Sequence, residues 1–183
     1  MRGKIVLQLI AALSLCAFGV QSRAQNTKSA EEGSQAEQIA ALKAEVERLK
    51  SIVPAQAVAM TQVAYNFDNL WFAVQAKNWP LAQFYFNETR TRLRWAIRIV
   101  PKRKISSGQV ELAPILQSVE AGPLAALGRT VAGKDVQEFR PAYQAVMNAC
   151  VGCHTAAERP FLRLQIPQVP AEPMIDFEGE KGE

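Results

Sequence analysis

The chain has one histidine in 183 residues, and it closes the run Cys150-Val151-Gly152-Cys153-His154. C-x-x-C-H is the pattern of covalent c-type haem attachment. The remaining cysteine, Cys16, sits in an apolar N-terminal stretch. With that stretch removed, two thiols and one imidazole remain, all inside five residues. This scarcity constrains the chain more than the motif does. If iron is bound through His154, no second histidine can take the opposite axial position.

The spacing has a mechanical reason. Residues three and four apart share one face of a helix, so Cys150, Cys153 and His154 form one cluster. The sulfurs can close thioethers to the haem vinyl groups while the imidazole meets the iron. Three other readings compete. Structural zinc needs four ligands, usually from two separate Cys/His pairs, and no second pair exists. A thioredoxin-like dithiol needs a βαβ setting, and no convincing strand lies nearby. A disulfide between the two cysteines leaves the adjacent histidine unexplained.

Arg2 and Lys4 precede an apolar run from Ile5 to Val20, then Ser22-Arg23-Ala24 offers a small-x-small cleavage site. This reads as a signal peptide over residues 1–24; the run is too short for a membrane span. Leu15 is bulky where a lipoprotein signal wants a small residue, so Cys16 reads as part of the signal. Export to the periplasm, or otherwise out of the cytoplasm, suits a dithiol that must meet its cofactor. Arg2, Lys4 and Arg23 leave with the signal, so the formal charge of +4 falls almost to neutrality. A nucleic-acid partner is not expected for such a chain.

Residues 25–53 read as a polar linker, with Gln25 to Gln38 disordered, followed by a short amphipathic helix. In that helix Ile39, Leu42, Val46, Leu49 and Val53 fall at a and d heptad positions. Glu45 and Lys50 are placed for a g-to-e′ ion pair with a second copy. The pattern covers about two heptads, so a homo-oligomeric coiled coil and a lone helix lying on the domain both fit it.

Residues 54–159 read as four helices. The first, Ala55 to Trp79, carries Met60, Val63, Phe67, Leu70, Trp71 and Val74 on one stripe. The second opens at Asn78-Trp79-Pro80 and runs to about Val100, with Leu81, Phe84, Tyr85, Trp95, Ala96 and Ile99 facing inward. Lys102 to Gly108 reads as a polar loop. The third, Pro114 to Val131, is split or kinked at Gly122-Pro123. Asp135 and Glu138 form a capping box for the fourth, whose inner face carries Phe139, Tyr143, Val146, Met147 and Cys150. Residues 160–183 are a Pro-rich tail. Four apolar-striped helices with short connections argue an all-α antiparallel four-helix bundle.

Four helices with Cys150-Val151-Gly152-Cys153-His154 near the end of the last resemble a class II c-type cytochrome, the cytochrome c-prime family. The resemblance spans roughly Ala55 to Ala157, and its specific motif is Cys150 to His154. It implies one haem c per chain in the bundle core, held by Cys150 and Cys153, with His154 as fifth ligand. It also implies that the first helix sets the sixth position. A methionine there gives an electron carrier; a bulky apolar residue gives a five-coordinate gas binder. Departures are the N-terminal heptads, the long tail, and Arg159, which lies farther from the histidine than the family's usual basic residue.

Met60 lies in that first helix and is the expected sixth ligand. Met147 is seven residues before His154 on the same side and cannot reach across the iron. Met174 lies in the tail and reaches only by folding back. Arg90, Arg94 and Arg98 recur every four residues, where like charges repel, and Arg92, Lys102, Arg103 and Lys104 extend the cluster; the cluster reads as a solvated face, or as a docking patch for an acidic redox partner or a counter-charge for haem propionates. Glu88 can pair with Arg92 and weaken that patch. The leading expectation is an exported monohaem electron-transfer protein, not an enzyme. The alternative is a haem gas binder or sensor. A peroxidase-like enzyme wants a distal histidine or arginine, and the lone histidine is already used.

Overall fold

The computed structural model describes residues 33–170 and 174–179. The expected signal segment with Cys16, its cleavage site, and residues 25–32 of the polar linker lie outside them. The chain divides between Val53 and Pro54 into two compact units. The first shows one helix, α1, over residues 33–52, exposed throughout. Residues 33–38 are therefore helical, not disordered as expected. The a and d side chains Ile39, Leu42, Val46, Leu49 and Val53 are all exposed. Glu45 pairs with Arg48 at 2.6 Å, and Lys50 with Glu47 at 2.7 Å, inside the helix.

The second unit is mostly helical: α2 Gln56–Gln75, α3 Trp79–Ile99, α4 Leu112–Val119, α5 Ala125–Ala132 and α6 Val136–Ala156. A π-helical turn, Glu120–Leu124, joins α4 to α5. Gly122-Pro123 therefore widens the third helix by one turn without ending it, as a π-bulge does. A two-stranded antiparallel hairpin, β1 Lys102–Ile105 and β2 Gly108–Glu111, stands where a polar loop was expected. Its four-residue strands lack apolar alternation, and its Ser106-Ser107 turn is not a usual hairpin pair. Gly108 takes φ +135° to close it. Among the described residues no helix is long and apolar enough to cross a membrane.

The helix connections are compressed by one recurring device. Lys77, Lys134 and Glu158 all take left-handed φ, between 55° and 57°. At each, the next residue reaches back to the helix: Asn78 N–H to the Ala73 carbonyl, Asp135 N–H to Thr130, Arg159 N–H to His154. These are Schellman ends with a side-chain-bearing residue in the usual glycine place. Asn78 and Asp135 then cap the following helix, Asn78 accepting from Leu81 N–H and Asp135 from Gln137 and Glu138 N–H. Only the Asp135 half of the expected capping box forms, because its own N–H is taken by Thr130. Pro141 lies inside α6 without ending it.

The core is aromatic. Phe67 and Tyr143 stack with centroids 4.0 Å apart, and Trp71 packs on Phe139 at 5.9 Å. As α2 numbers rise, their α6 partners fall, so the two helices run antiparallel. Phe84 and Trp95, expected to face inward, are exposed. Tyr85 and Ala96 are buried as expected, and Ala82, Phe86, Thr89 and Ile97 complete the buried face of α3. Aromatic identity misled the assignment of phase: Thr89 occupies a core position by donating its hydroxyl to the Tyr85 carbonyl at 2.7 Å.

Gly128 on α5 lets the Phe86 ring approach; an added Cβ would stand 2.7 Å from the ring. Gly→Ala in a helix ordinarily gains up to about 1 kcal/mol, whereas overpacking a core costs about 1–3 kcal/mol. Gly128→Ala is therefore expected to destabilise the fold by about 1 kcal/mol net in denaturant titration. Adding Phe86→Leu should recover much of the loss.

Candidate cofactor site

The last turns of α6 place Cys150, Cys153 and His154 side by side, and the Schellman end stops the helix directly after them. All three line one cavity of about 520 Å³, within the roughly 300–1,000 Å³ of cofactor and ligand sites. Facing α6 across it are Met60, Val63 and Phe67 of α2, and Ile115 and Leu116 of α4 add to an apolar lining. The sequence-expected Met60 and the C-x-x-C-H cluster thus share one cavity.

The convergence follows from helix geometry. Met60 precedes Phe67 by seven residues, and Cys150 follows Tyr143 by seven. Seven residues are two turns, about 10.5 Å. Because α2 and α6 are antiparallel and pinned at the Phe67–Tyr143 stack, Met60 and Cys150 arrive at the same level. Tyr143 strengthens the pin by donating its hydroxyl to the Phe67 carbonyl at 3.0 Å. Burial pushes the Tyr143 phenol well above its ordinary value, so it stays a donor. Met147 is buried in the aromatic core and does not line the cavity. Met174 is 89% exposed and is likewise absent from the lining.

His154 is oriented from outside its helix. Its Nδ1 lies 3.1 Å from the Leu162 carbonyl. A carbonyl only accepts, so Nδ1 carries the proton and Nε2 keeps its lone pair. This is the arrangement that fixes tautomer and ring orientation in metal-ligating histidines. The described residues after α6 have no regular structure, yet Leu164, Ile166 and Phe177 pack on the core. Asn78 donates to the Phe177 carbonyl at 3.2 Å.

The competing chemistries fit poorly. Among the described residues no three His, Cys, Asp or Glu side chains group as a metal site made only of protein would require. The sole sheet there is the hairpin, so a βαβ setting is missing. Both cysteines are free and half-buried. Burial, then the neighbouring Cys153, pushes the Cys150 thiol up to about 11, and burial raises Cys153 as well. Redox dithiols depend on the opposite shift. The donor set, the apolar lining and the volume fit a haem.

The arginine row on α3 is partly neutralised. Arg94 pairs with Glu120 at 2.5 Å, Arg92 with Glu88 at 3.1 Å, and Arg90 lies over the Phe86 ring at 5.6 Å. Arg98 is exposed. The residues that sequence reasoning missed are Leu162 and Gln56, which enter the site through a backbone carbonyl and through long-range hydrogen bonds; of the expected basic cluster, Arg103 lines the cavity.

No described protein family, curated protein or solved structure matches this chain.

A thiol raised by two units carries about 100-fold less thiolate at neutral pH. In chain that carries no haem, Cys150 should therefore alkylate roughly 100-fold more slowly at pH 7.5 than an ordinary thiol. The rate should climb up to about pH 11; timed iodoacetamide labelling with mass spectrometry reads it.

Proposed function

We propose that this chain is an exported monohaem c-type cytochrome, a four-helix bundle of the cytochrome c-prime type, that transfers electrons. The observation that carries the reading is the meeting of Met60, Cys150, Cys153 and His154 on one apolar cavity, with the His154 ring held by the Leu162 carbonyl. Haem, when bound, supplies a one-electron ferric/ferrous couple. Cys150 and Cys153 would hold it covalently, and their half-burial would keep those bonds away from bulk solvent. His154 would offer Nε2 to the iron, its ring held in place by the Nδ1–H···O bond to Leu162. Met60 would offer a thioether to the iron, a soft donor that would raise the reduction potential. Val63, Phe67, Ile115 and Leu116 would keep water out of the apolar part of the cavity.

The redox partner is an acidic protein surface, met by Arg98 and by whichever of Arg90 and Arg94 exchange their internal contacts on docking. A second copy is the proposed partner of α1: β-branched Ile39, Val46 and Val53 at a with Leu42 and Leu49 at d favour two parallel strands.

Three measurements test this. Haem should stay with the polypeptide through denaturing electrophoresis and acid-acetone extraction, and Cys150→Ala or Cys153→Ala should sharply lower holoprotein yield. Haem that washes out would overturn the reading. If Met60 is a ligand, Met60→Ala should turn a low-spin ferric spectrum high-spin, speed carbon monoxide binding and lower the potential, while Met174→Ala changes nothing. Wild-type protein already high-spin would make it a gas binder, with Met60 as core filler. Removing residues 25–53 should halve the mass in light scattering without altering the haem spectrum.

A further inference from the structure

Three guanidiniums, those of Arg103, Arg159 and Arg163, line the cavity, and among the described lining residues no carboxylate does. The other titratable groups there are Cys150, Cys153 and His154. Arg159 and Arg163 are exposed, whereas Arg103 is half-buried on the inward face of β1.

Arg103 is also held. Gln56, the first residue of α2, is 8% exposed. Its amide nitrogen donates to the Ala96 carbonyl at 2.9 Å and, more weakly, to Val100 at 3.4 Å. Those two carbonyls fix the orientation of the amide, so Oε1 must face the hairpin. It accepts from Arg103 Nε at 3.0 Å and from Nη2. A second tie steadies the hairpin: Glu158 accepts from Ser106 N–H at 2.8 Å and from the Ser106 hydroxyl. Those bonds hold its carboxyl below the usual range.

A partly desolvated cation is costly without a counter-charge. Three nearby cations already have theirs: Lys102 pairs with Glu111 at 2.7 Å, and Arg92 and Arg94 with Glu88 and Glu120. Arg103 faces an apolar cavity with a neutral amide as its partner and further N–H donors to spare. The fork is pre-organised by Gln56, so little freedom is lost when it grips a second group. The exposed Arg159 and Arg163 lack this advantage and are screened by salt.

We infer that Arg103, positioned by Gln56, binds a carboxylate of the cavity's occupant and sets where an apolar molecule with an anionic edge comes to lie. Resting on the haem reading above, that carboxylate is a haem propionate. Arg103 is the binding residue and Gln56 its positioning residue, which narrows the expected counter-charge from the whole basic cluster to this one member.

The test uses the covalently loaded holoprotein and follows reduction potential from pH 4 to 9. A carboxylate beside an arginine titrates about 1–3 units low, so the wild-type potential should be flat above about pH 5. Arg103→Gln should move that redox-linked ionisation up by a unit or more, making the potential fall as pH rises between about 5 and 7. Arg103→Lys should shift it less, Gln56→Leu should shift it in the same direction, and Arg94→Gln should leave it unmoved. A folded Arg103→Gln profile superimposable on wild type overturns the inference while leaving the haem reading intact. If that variant does not fold, wild-type profiles from both Arg103→Lys and Gln56→Leu overturn it equally. A chain that never takes up covalent haem sinks both.

Discussion

The contact between Tyr143 and Phe67 organises the rest of the second unit, Pro54 onward. It combines a parallel ring stack with a buried hydrogen bond from the phenol to the Phe67 carbonyl. Stacking contributes about 0.5–1.5 kcal/mol beyond area burial, and the bond about 1 kcal/mol net. Its larger effect is positional. A slip of one residue along α6 would rotate Cys150 by about 100° around the helix, away from the cavity. The ring pair below it, Trp71 on Phe139, enforces the same register and thickens the core on the far side. The cavity therefore lies where the aromatic filling of the α2–α6 interface stops.

The hairpin and the tail complete the site from outside the helices. Gln56 joins the start of α2, the end of α3 and Arg103 of β1 through one amide. Glu158 joins the end of α6 to the hairpin tip. Leu162 orients His154 from the chain just past that same end. Each tie is exposed or half-exposed except Gln56, so each alone is a weak contributor to stability. Together they hold a guanidinium and an imidazole in fixed positions around one space, which matters to ligand geometry more than to folding.

Helix ends illustrate where local reading worked and where it failed. Asn78 and Asp135 were legible as caps because a short side chain that accepts from the next turn is a local interaction. The ends before them were not, because Lys77 and Lys134 take the left-handed conformation without glycine. Their strain is tolerated because two backbone bonds close each end and the following cap begins at once. The α3 face was misread for a related reason. Phe84 and Trp95 carry large apolar areas, yet helical phase, set by where α2 and α5 approach, assigned burial to Ala82 and Thr89.

The sequence by itself determined which atoms are available for chemistry. One imidazole and two thiols inside five residues, on a segment of helical period, need no tertiary information to be recognised, because helix geometry alone clusters them. Placing Met60 on an apolar stripe of α2 was equally local. Tertiary structure decided the rest: that Met60 and Cys150 meet at one level, that a backbone carbonyl eight residues on selects the histidine tautomer, and that Arg103 rather than the α3 arginine row faces the cavity. Those pairings join residues distant along the chain, through a carbonyl or an amide common to every protein. They leave no pattern in the one-dimensional text because packing, not residue type, brings the partners together.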